Sequence, residues 1–324
     1  MKRVTFLKEI GGFYELELNR TQELYLQAVK LNNGRACLAC LLEIYQPEKI
    51  FIPHYICNCM LRIVEQRKVN YQLYHLDQDF MPVLNAKKNK EYLLYVNYFG
   101  LHEADVKKIN TLYSNVIIDN SQAFFSKPLE NCDTFYSARK FFGVPDGSYL
   151  FTKNQLKKKL KKGYSYNNCK HLLKRIDVSA ENAYLDFQKN ENRFDDFQIK
   201  SMSSIAMRIL QSIDYQTVQK TRTDNFLYLN QELGAINEIQ IDTRDLCGPM
   251  VYPLFIKKEG LREYLIRNKI FVATYWHEVL DRVEQNTFEY QLSRFLIPLP
   301  IDQRYNKDDM QYIIEKIKNY LNLP

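Results

Sequence analysis

The sequence predicts an α/β protein in which a mainly parallel central sheet, flanked by helices, is followed by a smaller C-terminal α+β domain. Three observations predict it. Short β-branched or aromatic runs alternate with helical patterns through the first half, a polar stretch covers about 154–221, and two more strand-like runs and an amphipathic helix close the chain. The division falls at 1–221 for the large domain with its helical connection and at 222–324 for the small one.

The strand candidates of the first half are 49–53, 70–74, 92–97, 115–119, 134–137 and 148–152, each rich in residues that suit a pleated, buried surface. Between them, 35–44, 58–67 and 103–113 carry apolar residues at three- and four-residue spacing, as helices laid on a sheet do. The stretch 154–221 has no Pro and a single glycine, Gly163, and reads as a mainly helical connection. Beyond it, 251–256 and 270–274 are strand-like. In the last helix Met310, Ile313, Ile314, Ile317 and Leu321 form one apolar stripe. Asn306, with Asp309 three residues later, supplies its N-terminal cap.

With 324 residues, 46% of them hydrophobic, the chain can bury a large core. No stretch approaches the roughly 20 apolar residues that cross a bilayer, and the opening Met1 to Lys8 meets charge at once instead of a signal-type apolar run. A cytoplasmic protein without membrane contact is expected. The seven cysteines are an odd number, scattered at Cys37, Cys40, Cys57, Cys59, Cys132, Cys169 and Cys247, which fits reduced thiols. A zinc site built from Cys37, Cys40, Cys57 and Cys59 is the weaker reading, because Cys37 and Cys40 lie in an apolar helical run; no metal is expected. The net charge of +7 favours anionic small ligands. Much of it lies in Lys153, Lys157, Lys158, Lys159, Lys161 and Lys162, read as a solvated helix face and not as a nucleic-acid contact.

In parallel sheets ligands sit beyond the carboxyl ends of the strands. Four such ends stand out: Asp119 followed by Gln122, Ser137 leading to Lys140, Asn97, and Pro53-His54-Tyr55. Asn33-Gly34-Arg35-Ala36 opens a helix, where free N–H groups and the positive dipole end suit a phosphate. Each alone has a dull explanation as a turn, a cap or a surface lysine. Together they supply a phosphate cradle, a carboxylate for a ring nitrogen and an amine that can form an imine, the needs of a pyridinium phosphate cofactor.

At these residues the chain resembles the DegT/StrS-type sugar aminotransferases, which use pyridoxal 5'-phosphate (PLP) and have the aspartate-aminotransferase-like fold, fold type I. The resemblance runs nearly end to end. The family's Ser-Gly-Thr-x-Ala-Leu segment resembles Asn33-Gly34-Arg35-Ala36-Cys37-Leu38, and its Pro-Ser-Tyr-Thr-Phe segment resembles Pro53-His54-Tyr55-Ile56-Cys57. Its Glu-Asp-Ala-Ala-Gln-Ala motif is similar to Ile118-Asp119-Asn120-Ser121-Gln122-Ala123. Its strand ending before a glycine resembles Val96 to Gly100, and its lysine segment resembles Ser137 to Gly147.

The resemblance implies that Lys140 forms the internal aldimine, that Asp119 pairs with the pyridine nitrogen, and that Gln122 approaches the phenolic oxygen. It implies that Gly34, Arg35, Ala36 and Ser137 hold the phosphate, Arg35 bringing a full charge where relatives have a small hydroxyl residue. Asn97 and Tyr55 join the cofactor-binding set, Tyr55 as one source of the ring stacking that Cys57 cannot provide. Trp276, placed just after a strand, and His54 are pocket candidates, though Trp276 is more readily read as packing. The family's Gly-x-Asn-x-Arg-Met segment is reduced to Phe197-Gln198-Ile199-Lys200-Ser201-Met202, leaving Lys200 to reach a partner subunit in the homodimer that the resemblance implies. The implied reaction is ping-pong transfer of an amino group from an amino acid, glutamate first, to a keto-sugar nucleotide or similar carbonyl acceptor in making a surface polysaccharide or related glycan. Other PLP chemistry on the same fold, and a non-catalytic binding or scaffold protein, stay open as alternatives.

Overall fold

A computed structural model of the chain describes residues 10–84, 90–154, 156 and 159–323. The charged start at Met1 to Lys8, and Lys157 and Lys158 of the basic run, lie outside the described residues. In chain order the large sheet takes β1 (Val29–Leu31), β2 (Lys49–Pro53), β3 (Asn70–Leu76), β4 (Pro82–Val83), β5 (Glu91–Val96), β6 (Val116–Asp119), β7 (Asp133–Ser137) and β8 (Ser148–Phe151). They lie in the order β1-β8-β7-β6-β5-β2-β3-β4. The helices α1 (Gly34–Tyr45), α2 (Asn58–Gln66) and α3 (Glu103–Leu112) provide the crossovers.

The pairs β2 with β3, β2 with β5, β5 with β6 and β6 with β7 are parallel. Strands buried on both faces read as continuous apolar runs, and all four residues of β6, Asp119 included, are buried. The edges depart from the parallel rule: β8 runs antiparallel to β7 and to β1, and β4 antiparallel to β3. Neither β1 nor β4 announces itself in the sequence, since each has only two or three residues and takes its register from a neighbour.

The polar connection is helical from Lys170 onward, as α4 (Lys170–Asp177), α5 (Ala180–Asn192), α6 (Ser204–Leu210) and α7 (Tyr215–Leu233). The described lysines of the basic run, Lys153, Lys159, Lys161 and Lys162, are exposed as expected but stand on irregular chain, not on a helix. The reason lies at its end. Lys161 bridges to Lys200, and at Gly163 a Cβ would sit 2.1 Å from the Ser201 carbonyl oxygen, so the backbone is pressed flat against its neighbour and cannot coil.

The C-terminal part holds β9 (Tyr252–Phe255), α8 (Leu261–Arg267), α9 (Phe288–Phe295), β10 (Leu296–Leu299) and α10 (Lys307–Leu321). β9 pairs antiparallel with β10, and this two-stranded sheet packs a second core with Phe226, Leu229 and Leu233 of α7, Leu261 and Leu265 of α8, and the stripe Met310, Ile313, Ile314 and Ile317 of α10. The Asn306 side chain accepts from the backbone N–H of Asp308 and Asp309 while Asp309 accepts from Asn306 N–H, closing the expected capping box. The strand expected at 270–274 does not form. Ile270 and Val272 bury their side chains in the second core, but the Ile270 N–H is spent on Leu265 O and the Ala273 carbonyl on Arg262, so no ladder remains and β10 takes the place beside β9.

Candidate active site

Asp119 ends β6 with its carboxylate buried. The Oδ1 atom accepts from Ser121 N–H at 2.8 Å, and the Asp119 carbonyl accepts from Asn97 N–H at 3.1 Å, so the acid is fixed at the carboxyl edge of the sheet. Burial raises its pKa above the ordinary carboxylate range, opposed by the charge of Lys140 and by the Ser121 hydrogen bond. Lys140 ends a tight turn, Ala138–Lys140, that follows β7 directly, with its side chain exposed. The two residues thus stand at neighbouring strand ends, near enough for the lysine's charge to act on the acid. Ser137 is the last residue of β7 and is buried opposite Ser148.

The start of α1 closes the same space. Asn33 caps it, accepting from Ala36 N–H at 2.9 Å. At Gly34 a Cβ would stand 3.4 Å from Ser121 Oγ and 3.6 Å from the Phe135 ring, so the backbone opening α1 packs against the turn that follows Asp119. Arg35 is half-buried and pairs with Asp195 at 2.9 Å, as does Arg62 at 3.1 Å. Gly147, at φ +129° where only glycine is at ease, donates its N–H to Asn32 O at 2.8 Å and ties the lysine loop to the turn before α1.

Several residues of this site carry no strong sequence signal. Arg139 lies over the Phe194 ring at 4.6 Å, pairs with Glu191, and keeps a buried Nε without a partner. Burial and the nearby charges of Arg193 and Arg35 pull its pKa down to about 9. The guanidiniums of Arg35, Arg139 and Arg193 therefore stand close enough to act on one another although each pairs with a carboxylate, and of the three only Arg193 lies outside the motifs read in the sequence. Cys59, two residues past Cys57, donates its N–H to Cys57 Sγ at 3.3 Å. Its thiol is held below the usual range by its hydrogen bond with Cys57 and by Arg35 and Lys140, so α2 begins beside the lysine.

The remaining candidates have other surroundings. The Gln122 Oε1 accepts from Phe99 N–H at 2.8 Å, and the Asn97 amide holds the same turn, accepting from His102 N–H at 3.1 Å and donating to Ser126 Oγ at 3.4 Å. Tyr55 is wholly buried, its ring 4.8 Å from Trp276 and 5.6 Å from Tyr98, with no partner for its hydroxyl. Trp276 is half-buried in that aromatic cluster together with Tyr275. His54 stacks on His75 at 4.3 Å, and burial followed by the charges around it lowers its pKa to about 4. Lys200 pairs with Asp196 at 3.2 Å, and its backbone N–H donates to Asn32 Oδ1 at 3.3 Å, beside the start of α1 in its own chain.

All seven cysteines are free thiols. Among the described residues no three of His, Cys, Asp and Glu converge as a metal site would, and no helix is long and apolar enough to cross a membrane.

No family model and no curated protein sequence matches the chain. Solved structures do. The sugar aminotransferase CalS13 from Micromonospora echinospora superposes with a TM-score of 0.62 over 90% of this chain and 87% of its own, at 14% identity. A DegT DnrJ EryC1 StrS aminotransferase from Brucella abortus gives 0.63 over 91% and 87%, at 15% identity. NtdA from Bacillus subtilis, with its cofactor PMP bound, gives 0.63 over 90% and 72%, at 12% identity. With its mainly parallel sheet, its crossover helices and its small C-terminal unit, the chain has the fold of these aminotransferases, fold type I.

Proposed function

We propose that this chain is a PLP-dependent aminotransferase that moves an amino group from an amino acid, glutamate first, to a keto-sugar nucleotide or similar carbonyl acceptor. The observation that carries the reading is the nearness of Lys140 and the buried Asp119 at neighbouring strand ends, with the backbone opening α1 at Gly34 and three guanidiniums close by. The shared fold supports it, and among the superposed structures CalS13 is a sugar aminotransferase and NtdA holds PMP.

The donor set fits the cofactor. A phosphate would take the start of α1 and the charges of Arg35 and Arg139, whose orphaned Nε can donate, with Ser137 at the end of β7. Asp119 would keep the ring nitrogen protonated, and that positive charge in turn answers the cost of burying its carboxylate. When bound, PLP supplies an electron sink for a carbanion beside nitrogen. Lys140 would hold the cofactor through its amine, and the same amine would be the group placed to carry a proton at the reacting carbon. Gln122, with its Oε1 taken by Phe99 N–H, would have its amide N–H groups left for the phenolic oxygen, and His54 and Trp276 would belong to the acceptor side. To reach the partner's site in a homodimer, Lys200 would have to leave its pair with Asp196 beside the start of α1 of its own chain. A cytoplasmic enzyme of glycan biosynthesis fits these roles.

Visible absorption tests the reading. PLP added to purified protein should give a yellow, lysine-bound form that Lys140→Ala abolishes, and glutamate should bleach it as the amine passes to the cofactor. Protein that PLP cannot tint would put the non-catalytic scaffold reading ahead; a tint that no amino acid bleaches would favour other PLP chemistry.

A further inference from the structure

We propose that Arg222 and Gln303 are positioning residues for Lys140, fixing the exit of the turn that carries it; the inference rests on the role given to Lys140 above. The turn Ala138–Lys140 is closed at its start by the β7 and β8 ladder, and Ala138 N–H donates to Gly147 O at 3.1 Å. Its far end is held from the other core. The carbonyl of Phe141, the residue after Lys140, accepts from Gln303 Nε2 at 2.8 Å and from Arg222 Nη2 at 3.4 Å.

Arg222 is 2% exposed, among the largest side chains so deeply buried, and carries a charge that burial disfavours. Each of its three nitrogens donates: beside the Nη2 bond to Phe141, Nε donates to Gln303 Oε1 at 3.1 Å, and Nη1 to the carbonyls of Pro249 and Met250 at 3.2 and 3.1 Å. Its plane lies 4.5 Å from the centre of the Phe141 ring. Among the described residues no carboxylate hydrogen-bonds to this buried cation; apart from Gln303 its acceptors are backbone carbonyls, two from the chain before β9 and one beside Lys140. A rigid fork of this kind fixes peptide planes more than it adds net stability. The Lys140 side chain is exposed, so what the fold itself fixes is the backbone at 140 and 141 from which that side chain starts. Gln303 and Arg222 hold that backbone from the loop after β10 and from α7.

The test compares two ligands. PLP can be captured by Lys140, whereas pyridoxamine phosphate uses the same phosphate and ring contacts but cannot be. In Gln303→Ala, a change in a half-buried loop residue, formation of the yellow form should slow tenfold or more while pyridoxamine phosphate affinity, read by titration calorimetry, stays within twofold of wild type. Arg222→Lys, which keeps the charge and loses the fork, should slow capture in the same sense. Equal losses for both ligands, or no change for either, overturn the inference. A wild-type chain that never turns yellow overturns the inference and the reading beneath it; a yellow wild type with equally fast variants overturns the inference alone.

Discussion

Asp119 and Lys140 stand at the carboxyl ends of two neighbouring strands, β6 and β7, with the lysine's charge drawing down the pKa that burial of the acid pushes up. Burial wins, so the fold keeps a carboxylate in a place that disfavours its charge. A group whose folded pKa is raised contributes stability below its unfolded pKa and loses it as pH rises through the folded value. At neutral pH Asp119 therefore costs stability when nothing answers it. We expect Asp119→Asn, which can still accept from Ser121, to melt no lower than wild type without cofactor at pH 7, the difference shrinking in acid. With PLP the order reverses, and affinity should fall at least tenfold. A cofactor-free variant several degrees less stable at every pH would contradict this.

Cys59 offers a chemical probe of the same space. Its thiol is activated by Cys57, Arg35 and Lys140, whereas Cys37 and Cys40 are buried and burial pushes both thiols up. Iodoacetamide at pH 7, followed by peptide mass mapping, should modify Cys59 at least tenfold faster than Cys37 or Cys40. Arg35→Ala should slow it severalfold, and saturating PLP should protect it.

His54 sets an acid limit. Its ordinary pKa of about 6.5 drops to about 4 in the folded chain, chiefly by burial and then by His75. A depressed pKa gives stability that is complete above the unfolded value and is lost as pH falls through the folded one. The melting temperature of wild type should decline between pH 6.5 and pH 4 more steeply than that of His54→Asn. Parallel curves would show that the stacked His54 does not govern this range.

The sequence made the interior strands and the pair Asp119 and Lys140 readable because both follow from local rules: buried parallel strands are unbroken apolar runs, and ligands gather at their ends. Met310, Ile313, Ile314 and Ile317 were legible for the same reason, as one helical stripe. What stayed hidden depends on partners distant in sequence. The run at 270–274 has strand composition, but Arg262 and Leu265 take its hydrogen-bonding groups. Tyr55 lies in a motif that suggests ring stacking, yet its environment is set by Trp276, 221 positions away. Arg139, Arg193 and Arg222 read as ordinary surface cations in the sequence, and only the folded contacts reveal how far they are buried.

The helix α7 has a mechanical consequence. It buries Val218 in the core of the large sheet and Phe226, Leu229 and Leu233 in the second core. An unbroken run of 19 residues thus acts as a shaft shared by both bodies, and torque applied to one end is delivered to the other instead of being absorbed at a joint.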